Sequence, residues 1–407
     1  MADKLAHDSS RDAPSTPLQN PQGPGEGGPA GAAADLLAVR LKPLREQIDR
    51  LDEQILDLIS RRASVAQHVG EIKKETGAPV YRPEREAEVL RRIAERNDAQ
   101  GGPLPSQAVT TIYREIMSAC RALERILVVA YLGPEGSYSE LALIRQFGRS
   151  VEAQACGSFD EVFRQVETGA ADFGIVAVEN STEGPVSRTL DLMLESPLKI
   201  RGEVAIRIEH QLLTKTGTMD GVVRIYAHQQ ALAQCLYWLN RHHPSIPREA
   251  VSSNSEAARL AALDPASAAI AGELAAQRYG LMAVATHIQD ETHNTTRFAV
   301  IAREDTPGLG HKAAKGSGSD HTSLVLSVPN RPGAVHALLE PLTRHGVSMT
   351  RFESRPARNK EASGVWSYYF YIDVEGHQSD AHIAAALAEL KELASFFKVL
   401  GSYPVAG

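Results

Sequence analysis

The stretch ETHNTTRFAVIA, residues 291–302, joins a polar loop directly to an apolar strand. Its side chains Thr295, Thr296 and Arg297 stand where a buried strand meets its loop, which is a common place for ligand sites on α/β sheets. An ordinary strand entry would have the same pattern. The rest of the chain decides between these two interpretations.

The overall composition limits the possible partners. A chain of 407 residues is expected to hold two to four domains, since one domain commonly has about 100–200 residues. The net charge is −7 and the basic residues are scattered, so we expect no nucleic acid and no anionic membrane as a partner. The sequence has no apolar run of roughly 18 residues and no signal-peptide pattern at its start, which predicts a cytoplasmic protein.

The residues that could hold cofactors follow no recognised spacing. Cys120, Cys156 and Cys235 lie far apart, and the fourteen histidines form no metal-binding motif. The glycine-rich loop at 133–139 is neither GxGxxG nor a P-loop. These patterns predict free thiols in a reducing compartment, no metal site and no cofactor.

The first part of the chain predicts a tail followed by one long helix. Residues 1–35 contain almost no large apolar side chain, which predicts a disordered N-terminal tail. A seam with alternating spacings of three and four then predicts a helix of more than about 30 residues that packs lengthwise on a partner. The seam consists of Leu41, Leu44, Ile48, Leu51, Ile55, Leu58, Arg62, Val65, Val69 and Ile72.

Two cations lie on this seam. Arg62 is a seam member, and Lys73 falls on nearly the same face about three turns later. A buried charge is costly without a counter-ion, so two such cations predict an anionic ligand. An Arg62 that extends its head group into water would fit the spacing equally well.

Two shorter helices follow. One opens at Pro83, with Glu84-Arg85-Glu86 in its first turn, and one runs from about Pro105 to Arg125. Glu124 continues the apolar stripe of the last helix, where a carboxyl group is expected to favour its protonated form, unless it lies at the edge of the stripe in water. Three such helices cannot enclose a core alone, so we expect them to intertwine with a second copy.

Five segments of this region carry a resemblance to a known family. They are LREQID (44–49), SRR (60–62), VGEIK (69–73), PERE (83–86) and REIMS (114–118). Residues 36–126 thus resemble the all-helical chorismate mutase domain of bifunctional enzymes of phenylalanine biosynthesis, which forms an intertwined dimer. Its pericyclic reaction needs a positioned substrate and donors at the ether oxygen rather than a nucleophile.

The resemblance also implies the chorismate site. Arg62, Lys73 and Arg85 would bind chorismate, and Arg45 would reach in from the other subunit. Glu86 would hold the substrate hydroxyl and Glu124 would stand next to the ether oxygen, with Lys73 and Glu124 as the catalytic residues. Some relatives have Asp where this chain has Arg82, and Gln where it has Glu124. The implied site residues are Arg45, Arg62, Lys73, Arg85, Glu86, Cys120 and Glu124.

From Ile126 strands and helices alternate, which predicts two α/β lobes with mostly parallel sheets over residues 127–303. Such lobes would enclose a cleft between Asn180-Ser181, the 226–234 segment and Thr295–Arg297. The stretch ENSTEGP at 179–185 ends in a proline placed to start a helix. It could cradle an anion or simply cap that helix.

Four motifs in this region resemble prephenate dehydratase. They are AYLGPEGSYS (130–139), VENS (178–181), YAH (226–228) with Gln234, and TRF (296–298). The resemblance implies that Thr296 is central to catalysis and that Asn180, Ser181, Gln234 and Arg297 surround prephenate, with Glu179 as a candidate acid. The family often has Ser where this chain has Ala227, and Pro where it has Gln229.

The C-terminal part reads as a linker at 304–320 and a βαββαβ unit of the ferredoxin-like type at 321–404. Two of its motifs resemble the phenylalanine-binding motifs of ACT regulatory domains, which implies feedback inhibition by L-phenylalanine. They are Gly333-Ala334-Val335 and Glu353-Ser354-Arg355-Pro356. A structural ACT-like unit without a ligand is the alternative.

We therefore expect a multidomain enzyme, dimeric or a higher homo-oligomer, that converts chorismate through prephenate to phenylpyruvate. A non-catalytic sensor with the same cleft is one rival. An enzyme that keeps only one activity is another, with the departures at Arg82, Glu124 or Ala227 marking the decayed site.

Overall fold

A computed structural model of the chain describes residues 29–76, 78, 80–304, 320–329, 331–357 and 368–404. The predicted linker, apart from Glu304 and Asp320, lies outside these ranges. So do residues 1–28 of the predicted tail, and Trp366, where a strand was expected to begin. Helix α1 carries the chain from one compact unit, which ends at Ser60, into a second that begins at Arg61.

The N-terminal region is helical, as predicted. Helix α1 runs Pro29–Thr76, α2 Pro83–Gln100 and α3 Ser106–Glu124. The 48-residue length of α1 confirms the helix predicted from the seam. The predicted tail is wrong for residues 29–35, which begin α1, because four of these seven residues are alanine, the residue with the highest helix propensity. Pro83 occupies the first turn of α2, as expected.

The apolar seam of α1 lies open to solvent in the single chain. Its members are between 42% and 65% exposed: Leu44, Ile48, Leu51, Ile55, Leu58, Val65, Val69 and Ile72. An apolar face of this length is costly in water. Its packing against a second copy stays a prediction.

The remaining helices and strands alternate along the chain. The helices are α4 Tyr138–Phe147, α5 Phe159–Glu167, α6 Ser187–Glu195, α7 Gln229–Gln234, α8 Leu236–His242, α9 Asn254–Leu263, α10 Glu273–Tyr279, α11 Ala334–Arg344 and α12 Ala381–Leu393. The strands are β1 Val128–Leu132, β2 Glu152–Cys156, β3 Phe173–Asn180, β4 Gly184–Pro185, β5 Lys199–Arg207, β6 Gln211–Thr214, β7 Arg224–His228, β8 Arg248–Val251, β9 Ser267–Ala271, β10 Met282–Ala285, β11 Thr295–Ala302, β12 Asp320–Ser327, β13 Met349–Pro356, β14 Tyr368–Glu375 and β15 Phe396–Pro404.

The first lobe is built on a sheet of order β2-β1-β3-β11-β5, with β4 beside β3. Strands β1, β2 and β3 are parallel, whereas β11 is antiparallel to both of its neighbours, β3 and β5. The expectation of mostly parallel sheets is therefore only partly met. Strand β11 returns from the second lobe, and this return inserts it between two strands that run the other way.

The second lobe is built on a sheet of order β10-β6-β9-β7-β8. The residues after β7 favour one helix over 229–241, but the structure breaks this helix into α7 and α8 at Cys235. Asp290 explains the break: its backbone N–H donates to the carbonyl of Gln234, at 2.7 Å, while its carboxylate accepts from the first backbone N–H groups of α8.

Two crossing segments, 208–210 and 286–294, join the lobes and bond to each other. The backbone N–H of Ile208 donates to the carbonyl of Asn294 at 2.9 Å, and that of Ile288 donates to the carbonyl of His210 at 3.0 Å. This pairing holds the first residues of β11 at the boundary between the lobes.

The C-terminal domain has the predicted βαββαβ order and an antiparallel sheet β13-β14-β12-β15. The sheet packs on the first lobe: Val325, Tyr371 and Leu400 share one buried cluster with Val178 and Ala299. Gly401 lies against the Ile200 carbonyl, where a Cβ atom would have no room. Among the described residues, no helix combines the length and apolar character needed to span a membrane.

Candidate functional site

Thr296 and Asn180 meet at the boundary between the lobes. They are register partners on β11 and β3, and the Asn180 side-chain amide donates to Thr296 Oγ1 at 2.8 Å. Thr296 is only 9% exposed. The structure therefore brings together the two residues that the sequence placed at the centre of one site.

The orientation of the Asn180 amide is set by the turn that follows β3. Its Oδ1 accepts from the backbone N–H groups of Thr182 and Glu183, at 3.0 and 2.9 Å. Its Nδ2 must then supply the donors, one to Thr296 and one to Asn294 Oδ1 at 2.7 Å. Because the amide donates to Thr296 Oγ1, the hydroxyl hydrogen of Thr296 remains free to donate elsewhere.

The hydrogen-bond network continues into the second lobe, where the donor and acceptor roles are set in the same way. Asn294 Nδ2 donates to Gln234 Oε1 at 3.3 Å, and His210 Nε2 lies 2.9 Å from the same oxygen. With its oxygen occupied twice, Gln234 presents its –NH₂ group, which lies 3.3 Å from the exposed carboxylate of Glu183. The network therefore leaves two donors at the cleft, the Thr296 hydroxyl and the Gln234 amide.

His210 lies almost fully buried beneath Gln234. Burial lowers the pKa of its imidazole, and the hydrogen bond to Gln234 opposes this shift more weakly. A neutral ring that donates through Nε2 is the form that fits the Gln234 oxygen. The backbone N–H of His210 donates to Gln289 Oε1 at 3.0 Å, which ties the histidine to the other crossing segment.

Ser181 holds the strands together rather than pointing a free hydroxyl into the cleft. Its Oγ accepts from the backbone N–H of Thr295 at 3.0 Å and donates to the carbonyl of His293 at 3.3 Å. Ser181 is thus beside Thr296, as expected, but both its bonds support the backbone of the catalytic stretch.

Arg297 and Glu179 lie on the opposite face of the sheet, contrary to the expectation that they surround prephenate. Successive residues of a strand point to opposite faces, so the neighbours of Thr296 and Asn180 turn away from the network. The Arg297 guanidinium binds Glu203 through two bonds, of 3.0 and 2.6 Å, and reaches Glu179 at 3.0 Å. On that face the Glu179 carboxylate contacts Arg297 and Arg351, and an acid role for Glu179 at the cleft stays a prediction.

The structure also places Pro185 and the two positions that depart from the family pattern, Ala227 and Gln229. Pro185 forms the short strand β4, and α6 begins only at Ser187. Ala227 is fully buried in the core of the second lobe. Gln229 opens α7 after the His228 cap. The Ala227 departure from the family pattern therefore alters a core position in this chain.

In the helical domain, Lys73 and Glu124 form an ion pair. Lys73 Nζ donates to Glu124 Oε2 at 2.9 Å and to the Val80 carbonyl at 3.1 Å. The sequence did not predict this ion pair, and the protonated form expected of Glu124 stays a prediction. Gly70 makes the contact possible, since a Cβ atom there would lie 2.7 Å from Glu124 Cγ.

Glu86 has a cationic partner that the sequence did not reveal. Arg121 of α3 forms an ion pair with Glu86, donates to the Phe147 carbonyl of the first lobe, and lies over the ring of Tyr81. The pair is mostly buried, so the hydroxyl-binding role expected for Glu86 begins from a carboxylate that Arg121 already positions. Tyr81 itself packs into the first-lobe core.

The four other residues of the predicted chorismate site lie on helices α1, α2 and α3. Arg85 is exposed and binds Glu88 at 2.7 Å. Cys120 is buried on α3, one residue from Arg121. Arg62 and Arg45 are exposed on α1. The convergence of these four side chains on one chorismate site in a dimer stays a prediction.

The two predicted phenylalanine motifs lie on different elements of the C-terminal domain. Gly333 has a φ of 81° and precedes α11, where Ala334 and Val335 form the first turn. Glu353 to Pro356 form the end of β13, and Arg355 reaches Asp191 of α6 at 3.3 Å. Their union into one L-phenylalanine site stays a prediction.

The residues missed from the sequence are Asn294, His210 and Arg121. Asn294 belongs to the stretch that opened the sequence analysis, and an Asn two residues before the key threonine was a usable signal. His210 and Arg121 act through partners that are distant in sequence, and no local pattern marks them.

Known proteins match the three parts of the chain in the same order. Family models described as "Chorismate mutase type II", "Prephenate dehydratase" and "ACT domain" match residues 44–125, 129–306 and 322–392. A bifunctional chorismate mutase/prephenate dehydratase of Neisseria gonorrhoeae is 52% identical over 369 residues, covering 90% of this chain and 97% of that relative.

Two solved structures each match about two thirds of the chain. A prephenate dehydratase from Arthrobacter aurescens, in complex with L-Phe, has a TM-score of 0.61 at 33% identity and covers 68% of this chain and 89% of that one. GqqA, described as a novel type of quorum quenching acylase, has a TM-score of 0.61 at 31% identity and covers 69% and 98%. The order of domains and the near full-length match show that the chain belongs to the bifunctional chorismate mutase/prephenate dehydratase family.

Proposed function

We propose that the network around Thr296 carries out the decarboxylating dehydration of prephenate to phenylpyruvate. The reaction expels the ring hydroxyl as carbon dioxide leaves, and the difficult part is to make that hydroxyl a leaving group. The observation that carries the proposal is the hydrogen bond from Asn180 to Thr296 Oγ1, because it directs the threonine O–H outward as a donor.

Two positioned donors suit this chemistry. A threonine hydroxyl is a weak acid, so Thr296 stabilises the departing oxygen by a hydrogen bond rather than by full proton transfer. The Gln234 amide supplies a second donor from the other lobe. Asn180 and His210 occupy the acceptor oxygens of Thr296 and Gln234, which leaves the Thr296 O–H and the Gln234 amide as donors, with the amide directed at Glu183 in the substrate-free chain.

Acyl transfer, the activity named for GqqA, fits this network less well. A threonine nucleophile needs a general base to accept its proton. The side chain bonded to Thr296 is the amide of Asn180, which donates to Thr296 and is not a base.

Thr296→Ala tests the proposal. We expect phenylpyruvate formation to fall by about 10²–10³-fold, the usual cost of removing one positioned donor. The mutase activity of the same preparation reports whether the protein is folded. Near-normal phenylpyruvate formation by a folded Thr296→Ala protein would refute the role of Thr296.

The helical domain rearranges chorismate to prephenate, and we assign its site to the residues that the family resemblance implies. The cations Arg62, Lys73 and Arg85 hold the two carboxylates, and Arg45 of a second copy completes the site. The exposed apolar seam of α1 supports a homodimer, because it offers a long surface for the same seam of a partner.

Glu124 has two possible working states. If it must be protonated to face the ether oxygen, the mutase rate falls as pH rises and Glu124→Gln removes that fall. A rate that is flat from acid to mildly basic pH in both proteins would refute the protonated form. The Lys73–Glu124 ion pair would then serve to orient the Lys73 ammonium.

The ACT domain binds L-phenylalanine through the two predicted motifs and inhibits the enzyme. We place the enzyme in the cytoplasm, where three buried free cysteines would stay reduced. Separate incubations with chorismate and with prephenate, each with and without L-Phe, distinguish the three alternatives. A sensor converts neither compound, a single-activity enzyme converts only one of them, and the full enzyme converts both and is slowed by L-Phe.

A further inference from the structure

A cluster of five charged side chains connects the dehydratase lobe to the ACT sheet. We call it the interdomain charge cluster, and its members are Glu179, Glu203, Arg297, Arg351 and Asp373. The ACT domain supplies Arg351 and Asp373, and the first lobe supplies the other three. Asp373 is only 3% exposed, so its contacts operate largely out of water.

Arg297 is the centre of the cluster. It donates to Glu203, Glu179 and Asp373, the last at 3.1 Å. Burial lowers the pKa of its guanidinium, but the bonds and charges of Glu203 and Asp373 outweigh this and raise it well above the ordinary value. Arg297 is therefore held by carboxylates of both domains at once.

The cluster is built on the strands that form the catalytic network. Glu179 and Arg297 are register partners across β3 and β11, and the next pair along is Asn180 and Thr296. A shift in the pairing at Arg297 would move Thr296 relative to Asn180, whose contact is 2.8 Å. The two faces of one strand pair thus carry the cluster and the active site.

The ACT side of the cluster is equally close to a predicted ligand motif. Arg351 lies on β13, two residues before Glu353, and pairs in register with Asp373 of β14. Arg351 Nε reaches Glu179 at 3.3 Å, and its Nη1 lies 3.9 Å from Asp373. Further along β13, Arg355 of the motif itself binds Asp191 of the first lobe. A displacement of β13 therefore acts directly on residues of the dehydratase lobe.

The charges are unequal, with three carboxylates and two guanidiniums. One further observation shows that the arrangement is not saturated: Arg351 Nη2 is buried without a hydrogen-bond partner. A small shift of β13 can therefore exchange the partners of Arg351 without exposing a charge to water. Packed charge clusters with two such arrangements are the kind of element that carries coupling between sites.

We propose that Arg297 is a positioning residue for Thr296 and that the interdomain charge cluster transmits L-phenylalanine binding from the ACT domain to the dehydratase site. This rests on the proposed function, because it requires L-Phe to bind the ACT motifs. When L-Phe displaces β13, Arg351 and Asp373 release or pull Arg297, and the Asn180–Thr296 contact is altered through the shared strand pair.

Asp373→Asn tests the proposal with little change of shape. The amide keeps an acceptor for the Ser323 hydroxyl, which donates to Asp373 Oδ1 at 2.6 Å, but removes the charge that faces Arg297 and Arg351. We expect the L-Phe concentration for half-inhibition of the dehydratase to rise at least about fivefold, the low end of usual allosteric coupling. We expect the mutase rate to stay within about threefold of wild type, because Asp373 makes its contacts in the dehydratase lobe and the ACT sheet. Inhibition by L-Phe is compared with each variant's own uninhibited dehydratase rate.

The direct readout is the coupling factor, meaning the ratio of L-Phe affinities with and without saturating prephenate. It is measured in a Thr296→Ala background, which is expected to convert prephenate only slowly. The effect is reciprocal for binding, so it is independent of the assay of catalysis. We expect Asp373→Asn to bring this factor towards one. Glu389→Gln is the matched control, since it makes the same change in the ACT pair Arg344–Glu389, which touches no residue of the cluster.

Two results would overturn the proposal, and they differ from failure of the proposed function. A wild-type coupling factor in Asp373→Asn refutes transmission through the cluster, and so does an equal loss in Glu389→Gln. If wild type itself shows no response to L-Phe, the proposed regulation fails instead. Should Asp373→Asn lose both activities by misfolding, Arg351→Gln is judged by the same criterion.

Discussion

Replacing Asn180 by Asp reverses the polarity of the catalytic network while hardly changing its shape. Asn180 accepts two backbone bonds and donates two side-chain bonds, to Asn294 and Thr296. An aspartate keeps the two accepted bonds and loses both donated ones. The Thr296 hydroxyl is then expected to donate to the new carboxylate instead of to prephenate.

The size of the effect follows from that competing bond. A hydrogen bond to a charged group contributes about 1.5–3 kcal/mol. If the Thr296 hydroxyl must give up a bond of this free energy to reach the substrate, the reaction slows by about 10–10²-fold, since about 1.4 kcal/mol corresponds to a factor of ten. Asn294, which is buried, also loses the donor to its Oδ1, so the unfolding temperature should fall as well.

The assay measures phenylpyruvate formation from prephenate and, on the same preparation, prephenate formation from chorismate. The mutase rate is the internal control for folding. Asn240→Asp is the matched control, because Asn240 is exposed and its oxygen, which accepts from Arg248 at 2.7 Å, survives the change. A dehydratase kcat within about threefold of wild type in Asn180→Asp would refute the reasoning, since the lost donor is expected to cost at least tenfold.

Three further predictions follow from contacts outside this pair. Gly70→Ala places a Cβ atom 2.7 Å from Glu124 Cγ. We expect the mutase rate to fall by up to about 10²-fold, with the dehydratase rate unchanged. A mutase rate equal to that of wild type would contradict the assignment of Glu124 to the chorismate site. Arg121→Met removes the cationic partner of Glu86, and we expect the free energy of unfolding, measured by denaturant titration, to fall by about 3 kcal/mol. An exposed ion pair usually contributes less than about 1 kcal/mol, so a smaller loss than this would contradict a buried pair. Burial lowers the pKa of His210 in the folded chain. As pH falls through about 6.5, the imidazole therefore binds a proton in the unfolded chain before it does so in the folded chain, and wild type loses stability. His210→Gln should lose less between about pH 7 and 5 by thermal unfolding, and an unchanged pH dependence would contradict a buried neutral ring.

Much of the secondary structure could be predicted from the sequence because it depends on local residue patterns. The seam of α1, the proline that opens α2 and the βαββαβ order all depend on neighbours in sequence, and all are confirmed. The pairing of Asn180 with Thr296 was also predicted, since both follow or begin apolar strands at one edge of the fold.

The failures have a common physical cause in long-range partners. Arg201 and Glu203 interrupt the apolar pattern of strand β5, so this strand has no clear local signal, and the partners of Glu203 are Arg297 and Tyr403, both far away in sequence. The antiparallel insertion of β11 depends on how the crossing segments return, which no local periodicity records.

The misplacement of Arg297 and Glu179 had a different origin. The family motifs were treated as one site, although alternation along a strand puts neighbouring side chains on opposite faces. Applied to Thr296 and Arg297, this rule separates a cleft residue from a residue of the ACT interface. The face that each pair occupies became clear only from the partners Asp373 and Arg351.

The central claim is that Asn180 acts through the Thr296 hydroxyl, and a double-mutant cycle of dehydratase kcat measures this most directly. We predict that Asn180→Asp slows wild type by about 10–10²-fold but slows a Thr296→Val background by less than about threefold, because no hydroxyl is left to misdirect. The same factor in both backgrounds would contradict the claim.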